Sequence, residues 1–385
     1  MRKVVFLQNE GNVVGGVWFV NKTIGEELIR NDYEVHIISI RNGLNPVELS
    51  YDEKLHVEII NDSKFWGYIL GKDIKKSIRQ LKFIKAIKQF ILRQKEKKSL
   101  KQDFINCKKR LEQINPDYII ASHYQMLDAI PESMLNKTVH EQHSSFSEVI
   151  NNPANYGCFK KYNNKIHFLW LSKATLKLAE EHGLLNNHYI YNPSRICSKE
   201  CADVVENKKL ITIARLSRQK RLDDMIDIAK KVFENKHLSD WSLEIYGDGE
   251  LQNFLNKMID NHRQIRLVGR TDTPKEVLLK SSINLNTSDW EGFAMSIIEA
   301  DECGVPTISF NYGESVYEQI ENGNTGIVIE NRNIEKYVDE LVHLMEDPQY
   351  LKQMSLNAKK NSELYKPENV VKEWIKLFQI LDKER

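Results

Sequence analysis

The stretch NTSDWEGFAMSIIEA, residues 286–300, contains two glutamates, Glu291 and Glu299, eight residues apart. The apolar run at 281–287 predicts a short buried strand before it, and the apolar positions after Gly292 predict the start of a helix. A helix over this interval would hold the two carboxylates about 12 Å apart on roughly one side, which suits two distant parts of one ligand. Because a helix start provides free N–H groups and a positive dipole end, we expect a phosphate-bearing ligand with hydroxyl groups on both sides of its phosphates.

Length and composition define the class of protein. With 385 residues, 41% apolar and 28% charged, the chain can bury two cores and exceeds one ordinary domain. It has no apolar run of about 18 residues, and the N-terminus turns polar after Leu7, so we expect a cytosolic protein without a membrane span or signal peptide. The five cysteines lack a disulfide-framework spacing. Cys197 and Cys201 lack the second ligand pair that a metal site requires.

The first half of the chain predicts a doubly wound parallel sheet. A strand at 3–7, a helix at 17–30 and a strand at 34–40 form a βαβ opening. In the loop after the first strand, Gly15 and Gly16 either let backbone N–H groups approach a phosphate or sugar closely or simply form a tight turn. Further strands are predicted at 118–122, 138–143, 167–171 and 189–193.

Two histidines stand near the carboxyl end of the predicted 138–143 strand. His140 and His143 are therefore expected at the edge where open parallel sheets bind ligands. Either one also fits a structural histidine with its hydrogen bonds satisfied.

The segment from Lys64 to Gln102 is strongly basic. Thirteen lysines and arginines against two acidic residues give it a charge of +11, whereas the whole chain carries +1. Apolar residues recur in it at helical spacing, with aromatic residues just upstream. These residues are Ile74, Ile78, Leu81, Ile84, Ile87 and Ile91, with Phe65, Trp66 and Tyr68. Such a helix either lies in an anionic membrane interface or packs its apolar stripe on the first domain. No nucleic-acid-binding module accompanies the charge, so nucleic acid is not expected as a partner.

The second half predicts another α/β domain. Residues 194–207 have no strong period and are interpreted as a linker. A strand at 210–214 leads to a helix that begins near Leu222, and Arg215 and Lys220 bracket the loop between them. Two cations at a strand end can hold a diphosphate, although either cation alone would also fit a solvated surface residue.

The run SDWEGFAMSIIEADECGVPTISFNYGESVYEQIENGNTGIVI, residues 288–329, resembles the donor-binding segment of family 4 glycosyltransferases of the GT-B fold. That family has the pattern S-x2-EGF-x5-EA, followed by G-x-P and N-x-G. The loop of Arg215 and Lys220 resembles the family's G-R-L-x3-K-G pattern, except that Ala214 and Arg221 replace the outer glycines. Without this context, the glutamate spacing would also fit a helix cap and a solvated side chain.

The resemblance implies an α/β protein of the GT-B type, in which two Rossmann-like doubly wound parallel-sheet domains face a cleft. The expected acceptor-side domain covers 1–193 and the nucleotide-sugar donor domain covers 208–365, with 194–207 as the linker. The last residues, 366–385, have apolar positions at helical spacing and are expected to form a helix that crosses back to the first domain.

The resemblance also implies a retaining hexosyltransferase. Its donor would be a nucleotide-diphosphate sugar, with UDP as the expected nucleotide. Its acceptor would be a cell-envelope glycan of the capsule, teichoic-acid or O-antigen type, free or lipid-linked. The chain contains no D-x-D triplet, so neither a metal nor another cofactor is expected.

Site residues follow from the matching motifs. The implied catalytic residues are Arg215, Lys220, Glu291 and His143. The implied donor-binding residues are Gly15, Gly16, Gly247, Asp248, Gly249, Gly269, Arg270, Gly292, Phe293 and Glu299. The two cations would stabilise the charge that grows on the leaving diphosphate. Glu299 would accept hydrogen bonds from the ribose, Glu291 would orient a sugar hydroxyl, and His143 would contact the sugar near the reacting carbon.

Two other functions stay open at this point. A nucleotide-sugar epimerase on the same fold would need its own acid and base carboxylates in the cleft. A catalytically inactive GT-B partner subunit should have lost the diphosphate cations or the paired glutamates. The expected location is the cytoplasm, either free or peripheral on the inner face of the membrane. The expected partners are a nucleotide sugar, a glycan acceptor and, through residues 64–102, an anionic membrane surface.

Overall fold

Two parallel sheets organise the protein. The computed structural model describes residues 1–11, 15–43, 50–64, 74, 77, 80 and 82–384. Their strands form one sheet of seven and one sheet of six, and neighbouring strands in both sheets pair in parallel. The expected α/β architecture with two parallel-sheet domains is therefore confirmed.

The first sheet is covered by side chains on both faces. Its domain contains β1 (Arg2–Gly11), α1 (Gly16–Arg30), β2 (Tyr33–Asn42), β3 (His56–Lys64), α2 (Phe83–Ile114), β4 (Tyr118–Ala121), β5 (Thr138–Glu141), α3 (Phe146–Asn151), α4 (Pro153–Tyr162), β6 (His167–Trp170), α5 (Lys173–Glu181) and β7 (Asn187–Tyr189). The strand order is β3-β2-β1-β4-β5-β6-β7. Along β1, Val5 and Leu7 join one core while Val4 and Phe6 join the core on the opposite face, as a sheet with helices on both faces requires.

The second sheet belongs to the second half of the chain. Its domain contains β8 (Lys209–Ile213), α6 (Leu222–Phe233), β9 (Ser242–Tyr246), α7 (Gln252–Ile259), β10 (Ile265–Gly269), α8 (Pro274–Leu279), β11 (Ile283–Asn286), α9 (Met295–Glu302), β12 (Thr307–Phe310), α10 (Val316–Gln319), β13 (Gly326–Ile329), α11 (Ile334–Glu346) and α12 (Pro348–Asn361). The strand order is β10-β9-β8-β11-β12-β13. Residues 194–207 between the two sheets contain neither a helix nor a strand.

Three details of the first sheet differ from the sequence-based expectation. β1 continues to Gly11 because it stays paired with β2 as far as Asn42. The strand predicted at 189–193 is wrong, since β7 ends at Tyr189. The edge strand β3 was not predicted, because its half-buried and exposed residues lack the apolar alternation that marks a buried strand.

The C-terminal helix α13 (Pro367–Lys383) packs on the first domain. Its residues Trp374 and Phe378 are buried in the same core as Phe6. The ring of Phe378 stacks on Tyr118 with 4.1 Å between centroids. The chain that carries the second sheet therefore ends against the first.

A buried charge network anchors α2 to the sheet. Arg41 at the end of β2 is 1% exposed, and its guanidinium donates to Asp103 at 2.6 Å, to Ser99 at 2.8 Å and to Glu96. Asp103 is also buried and accepts from Asn61 of β3 at 2.8 Å. The carboxyl-terminal part of α2 is thus tied to two strands.

We expect the Asp103→Ala variant to lose about 3–5 kcal/mol of unfolding free energy, because Arg41 would stay buried with its charge only partly compensated. Urea unfolding followed by circular dichroism measures this loss. The double variant Arg41→Met/Asp103→Leu removes both charges and should recover most of the stability. A loss below about 1 kcal/mol in Asp103→Ala would contradict the anchoring role.

The amino-terminal part of α2 leaves large apolar side chains in contact with solvent. Ile84, Ile87 and Ile91 are 76%, 59% and 50% exposed. For these three residues the packed-stripe interpretation is wrong, because no core covers them. Two other predicted members of the stripe, Ile78 and Leu81, lie outside the described residues. The same holds for the upstream aromatic residues Phe65, Trp66 and Tyr68. No helix in the described parts of the chain is both long and apolar enough to cross a membrane.

Candidate functional site

Two adjoining cavities lie at the carboxyl ends of the strands. The larger one, the first-domain cavity, has a volume of about 1520 Å³ and is lined mainly by the first domain, with Asp289 and Trp290 from the second. The smaller one, the interdomain cavity, has a volume of about 830 Å³ and lies between α1, the linker and the second domain. Glu10 lines the first cavity and Arg215 lines the second, and the charge of Arg215 acts on Glu10. The two cavities are therefore near enough for a charge in one to influence a titratable group in the other.

Close backbone packing positions the loop after β8. Gly247 and Gly249 both have a positive φ, of 147° and 151°. A Cβ atom on Gly247 would lie 1.9 Å from the carbonyl oxygen of Ala214, and one on Gly249 would lie 2.5 Å from that of Leu216. Only glycine allows these approaches. As a result, Arg215 projects into the interdomain cavity, which Gly247, Asp248 and Arg270 also line.

Lys220 and Glu291 form an ion pair, and Glu291 directly follows Asp289 and Trp290, which line the first-domain cavity. The Glu291 carboxylate also accepts from the Ser288 hydroxyl at 2.8 Å. The Thr287 hydroxyl donates to the carbonyl oxygens of Lys220 and Arg221, both at 2.9 Å. Two loops that were singled out separately in the sequence therefore meet, and each fixes the other.

The interval between the two glutamates begins as a loop. The helix α9 begins only at Met295, so the expectation of a continuous helix that sets a 12 Å separation is wrong. The reason is tertiary: Gln319 accepts from the N–H of Ala294 and donates to its carbonyl oxygen, both at 3.0 Å, and holds the chain extended in front of the helix.

Glu299 is buried in a bidentate ion pair with Arg195 of the linker. The two contacts measure 2.6 Å and 3.2 Å, and only 3% of Glu299 is exposed. Burial raises the pKa of Glu299, although Arg195 opposes this shift. The Arg195 guanidinium also lies over the ring of Phe19 on α1, 4.9 Å from its centroid. Arg195 therefore joins the linker to both domains and covers the carboxylate that the resemblance assigns to the ribose.

The glycine after Glu291 forms a close contact between the domains. A Cβ atom on Gly292 would lie 2.2 Å from the carbonyl oxygen of His143. The next residue, Phe293, is buried and stacks on Tyr191 with 5.8 Å between centroids. Its ring thus belongs to an aromatic cluster between the domains and lines neither cavity.

A second contact between the domains involves Glu318 of α10. Its carboxylate accepts from the backbone N–H groups of Lys173 at 3.0 Å and Ala174 at 2.7 Å, in the first turn of α5. It also accepts from the Tyr191 hydroxyl at 2.8 Å. An acidic side chain at a helix N-terminus is favourable because it meets free N–H groups and the positive dipole end. This contact holds the second domain beside the first.

The two candidate histidines have different environments. His140 is fully buried, its ring hydrogen-bonds to the Ala121 carbonyl oxygen at 2.8 Å, and burial lowers its pKa to about 4. His143 lines the first-domain cavity. The carboxylate of Glu141 lies 3.2 Å from His143 Nε2, near enough for an ion pair but not aligned for a hydrogen bond. His140 is thus a core residue, and His143 faces the cleft.

Further titratable groups line the first-domain cavity and were not found from the sequence. Burial lowers the pKa of His123 to about 4. Burial raises the pKa of Glu10, and burial together with repulsion by Glu291 raises that of Glu148. Glu10 lies near the end of β1, His123 follows β4 and Glu148 lies in the first turn of α3, without any repeated spacing. The alternation of side chains along a strand could have indicated Glu141 in the sequence VHEQH, residues 139–143. Residues two positions apart on a strand point to the same face, so Glu141 is expected on the same side as His143.

The remaining predicted residues lie at the edges of the site. Gly15 precedes the N-terminus of α1, and a Cβ atom on Gly15 or Gly16 would meet nothing within 4 Å. Close approach of the backbone is therefore possible there but is not required by the packing. Gly269 ends β10 with a φ of 98° and presents Arg270 to the interdomain cavity.

The second domain matches a known family. Residues 199–361 match the family model described as glycosyl transferases group 1. Over 387 aligned positions the chain is 25% identical to an uncharacterized glycosyltransferase of Haemophilus influenzae, covering 97% of this chain and 99% of that protein. Over 172 positions it is 31% identical to the poly(ribitol-phosphate) alpha-N-acetylglucosaminyltransferase of Staphylococcus aureus, covering 43% of this chain and 34% of that protein.

The whole fold matches solved GT-B structures. A TarM variant from S. aureus, crystallised with fondaparinux, alpha-GlcNAc-glycerol and UDP, superposes with a TM-score of 0.75. The match covers 98% of this chain and all of that one, at 16% sequence identity. The two parallel-sheet domains therefore have the GT-B arrangement.

Proposed function

We propose, from the premise that residues 199–361 form a glycosyl transferases group 1 domain within a GT-B fold, that this protein is a retaining glycosyltransferase. It would move a hexosyl unit from a UDP-sugar to a cell-envelope glycan. The observation that carries the proposal is the loop after β8: its Arg215 lines the interdomain cavity, and its Lys220 pairs with Glu291, the residue before the contact between Gly292 and His143 of the other domain. Capsule, teichoic-acid and O-antigen chains are the acceptor class we propose.

The charges of the cleft suit a leaving diphosphate. The Arg215 side chain is exposed at the interdomain cavity, and no carboxylate in the described residues forms a salt bridge with it. Lys220 is paired with Glu291 and lies at the same loop. As the bond between sugar and diphosphate breaks, negative charge grows on the phosphate oxygens, and preorganised cations stabilise it without a metal ion. This is the basis for proposing metal-free catalysis.

The sugar that is transferred would lie between the two domains. His143 lines the first-domain cavity, and Glu291 stands between Trp290, which lines the same cavity, and Gly292, which is in contact with the His143 carbonyl oxygen. The sugar hydroxyls would hydrogen-bond to these two side chains. The ribose would bind Glu299, which requires Arg195 to turn away from that carboxylate.

The Glu299→Ala and Glu291→Ala variants should differ in what they lose. Loss of the ribose contact should weaken the binding of free UDP by about 10- to 100-fold, because a hydrogen bond to a charged group is worth about 1.5–3 kcal/mol. Loss of Glu291 should lower kcat more than the affinity for UDP. Isothermal titration with UDP, followed by kinetics, measures both effects. Equal UDP binding by wild type and Glu299→Ala would refute the ribose assignment without touching the assignment of the cations.

The first-domain cavity is large enough for part of a glycan chain. Its volume of about 1520 Å³ exceeds that of a usual small-molecule site. Its lining includes several asparagines and serines together with Arg93, Lys97 and Leu100 of α2. The helix that borders this cavity is the same one that exposes Ile84, Ile87 and Ile91 farther along. We propose that α2 rests on an anionic membrane and so brings a lipid-linked acceptor to the cavity.

Membrane binding should depend on both the apolar and the basic residues of α2. Each buried CH₂ contributes about 0.8 kcal/mol and each nearby lysine about 1 kcal/mol. Wild type should therefore co-sediment with vesicles that contain anionic lipid, and less so at high salt. The Ile84→Ser/Ile87→Ser/Ile91→Ser variant and the Lys82→Gln/Lys85→Gln/Lys88→Gln variant should each lose most of this binding.

The control for these variants is Lys257→Gln/Lys280→Gln, which removes two charges from the second domain and should bind as wild type does. If wild type ignores anionic vesicles at low salt, or if both α2 variants bind normally, the membrane part of the proposal is wrong. The glycosyltransferase assignment would stand, with a soluble acceptor.

A further inference from the structure

The amino ends of β2 and β3 carry a second group of polar side chains, at the edge of the first sheet opposite to the cavities. β2 has Glu34 and His36 two positions apart, and β3 has His56 and Glu58 two positions apart. His36 pairs with His56 in the register of the two parallel strands. Because side chains two apart point to one face of a sheet, these four residues share a face.

Three of these side chains converge. Glu34 Oε1 lies 2.9 Å from His36 Nε2. The rings of His36 and His56 stack with 4.6 Å between centroids and an interplanar angle of 25°. One ligand-type atom from each of Glu34, His36 and His56 lies within 4.8 Å of the others. The fourth side chain, Glu58, instead forms an ion pair with Arg110, with 2.8 Å between Oε2 and Nε.

The pairing inside this cluster is incomplete. His36 is only 6% exposed, yet its Nδ1 atom has no hydrogen-bond partner among the described residues. The two stacked rings make no hydrogen bond with each other, while His56 faces solvent. The Glu34 carboxylate also forms an ion pair with Lys3, with 3.4 Å between Nζ and Oε1.

We propose that Glu34, His36 and His56 form a binding site for Zn²⁺. Two imidazoles and a carboxylate suit Zn²⁺, whereas Mg²⁺ and Ca²⁺ prefer sites made only of oxygen atoms. Zinc bonds of about 2.0–2.2 Å place tetrahedral ligands about 3.3–3.6 Å apart. The ligand atoms reach this spacing by small side-chain rotations, which the exposed His56 allows.

The ion would connect β2 to the edge strand β3. It would displace the proton between His36 Nε2 and Glu34 Oε1, which passes to solvent, and water would complete the coordination. Because the site lies at the other edge of the sheet from the cavities, its effect is on the stability of the first domain. Donor binding at the interdomain cavity is independent of it.

The test uses the full-length, tag-free chain after EDTA treatment. Wild type should bind one Co²⁺ with a visible tetrahedral absorption band and one Zn²⁺ by calorimetry, and Zn²⁺ should raise Tm, whereas Mg²⁺ should not. His56→Ala and Glu34→Gln should each weaken Zn²⁺ binding by on the order of tenfold or more. The control is His237→Ala, which removes an exposed histidine of the second domain and should bind as wild type does.

Absence of stoichiometric Zn²⁺ uptake by the wild type would overturn the proposal. Equal Zn²⁺ affinity in wild type and His56→Ala would overturn it as well, because the bound ion would then be at another site. UDP titration of the same samples should give the same affinity with and without Zn²⁺. A change in UDP affinity would contradict the independence of the two sites.

Discussion

Turnover of the Lys220→Ala variant is expected to fall by about 10²-fold or more, with folding intact. Lys220 is the cation that the structure pairs with Glu291, next to the contact between Gly292 and His143. During the reaction its charge would act on the leaving diphosphate, and this stabilisation matters mainly in the transition state. Arg215→Ala should have an effect of similar size, because Arg215 projects into the interdomain cavity from the same loop.

Steady-state kinetics with a UDP-sugar and thermal unfolding check this expectation together. The matched control is Lys231→Ala, which removes a lysine of α6 from an exposed ion pair with Glu335. Exposed pairs contribute little to stability, and this one is far from the cleft, so turnover should stay near the wild-type value. If Lys220→Ala keeps near-wild-type turnover, Lys220 only supports the loop that carries Glu291.

Gly292→Ala should reduce turnover by on the order of tenfold or more. The new methyl group would lie 2.2 Å from the His143 carbonyl oxygen, so one of the two domains must move away. A displacement of about 1 Å at reacting groups can cost about 10²-fold in rate. Because His143 and Glu291 flank this contact, the movement would separate the side chains that we assign to the sugar.

The control for this variant is Gly157→Ala in α4. A Cβ atom there would meet nothing within 4 Å, and alanine is a better helix former than glycine. Gly157→Ala should therefore have normal turnover and equal or higher Tm. Normal turnover of Gly292→Ala would show that the contact between the domains can open without consequence for the reaction.

The local parts of the site could be predicted from the sequence because they follow strand ends. Arg215 and Lys220 stand directly after β8, and the loop of Gly247 and Gly249 follows β9. Parallel strands bring their carboxyl ends to one edge, so residues that are far apart in sequence meet there. Strand periodicity and glycines are sufficient for this step.

The contacts made over long sequence distances could not be predicted in this way. Arg195 reaches Glu299 from a linker that has no period. The start of α9 depends on Gln319, which lies in a later helix. The exposure of Ile84 could not be found either, because an apolar stripe at helical spacing ordinarily indicates burial. In each case the deciding interaction belongs to tertiary packing.

The most direct test of the proposed function is to incubate the protein with UDP-, GDP- and ADP-sugars and follow the products by NMR. We expect release of UDP from a UDP-sugar, formation of a sugar product with the anomeric configuration of the donor, and loss of both in Lys220→Ala. Formation of an epimeric nucleotide sugar without UDP release would contradict transfer. Absence of nucleotide release from any donor, with or without a glycan acceptor, would contradict an active enzyme, and a product of inverted configuration would contradict the retaining mechanism.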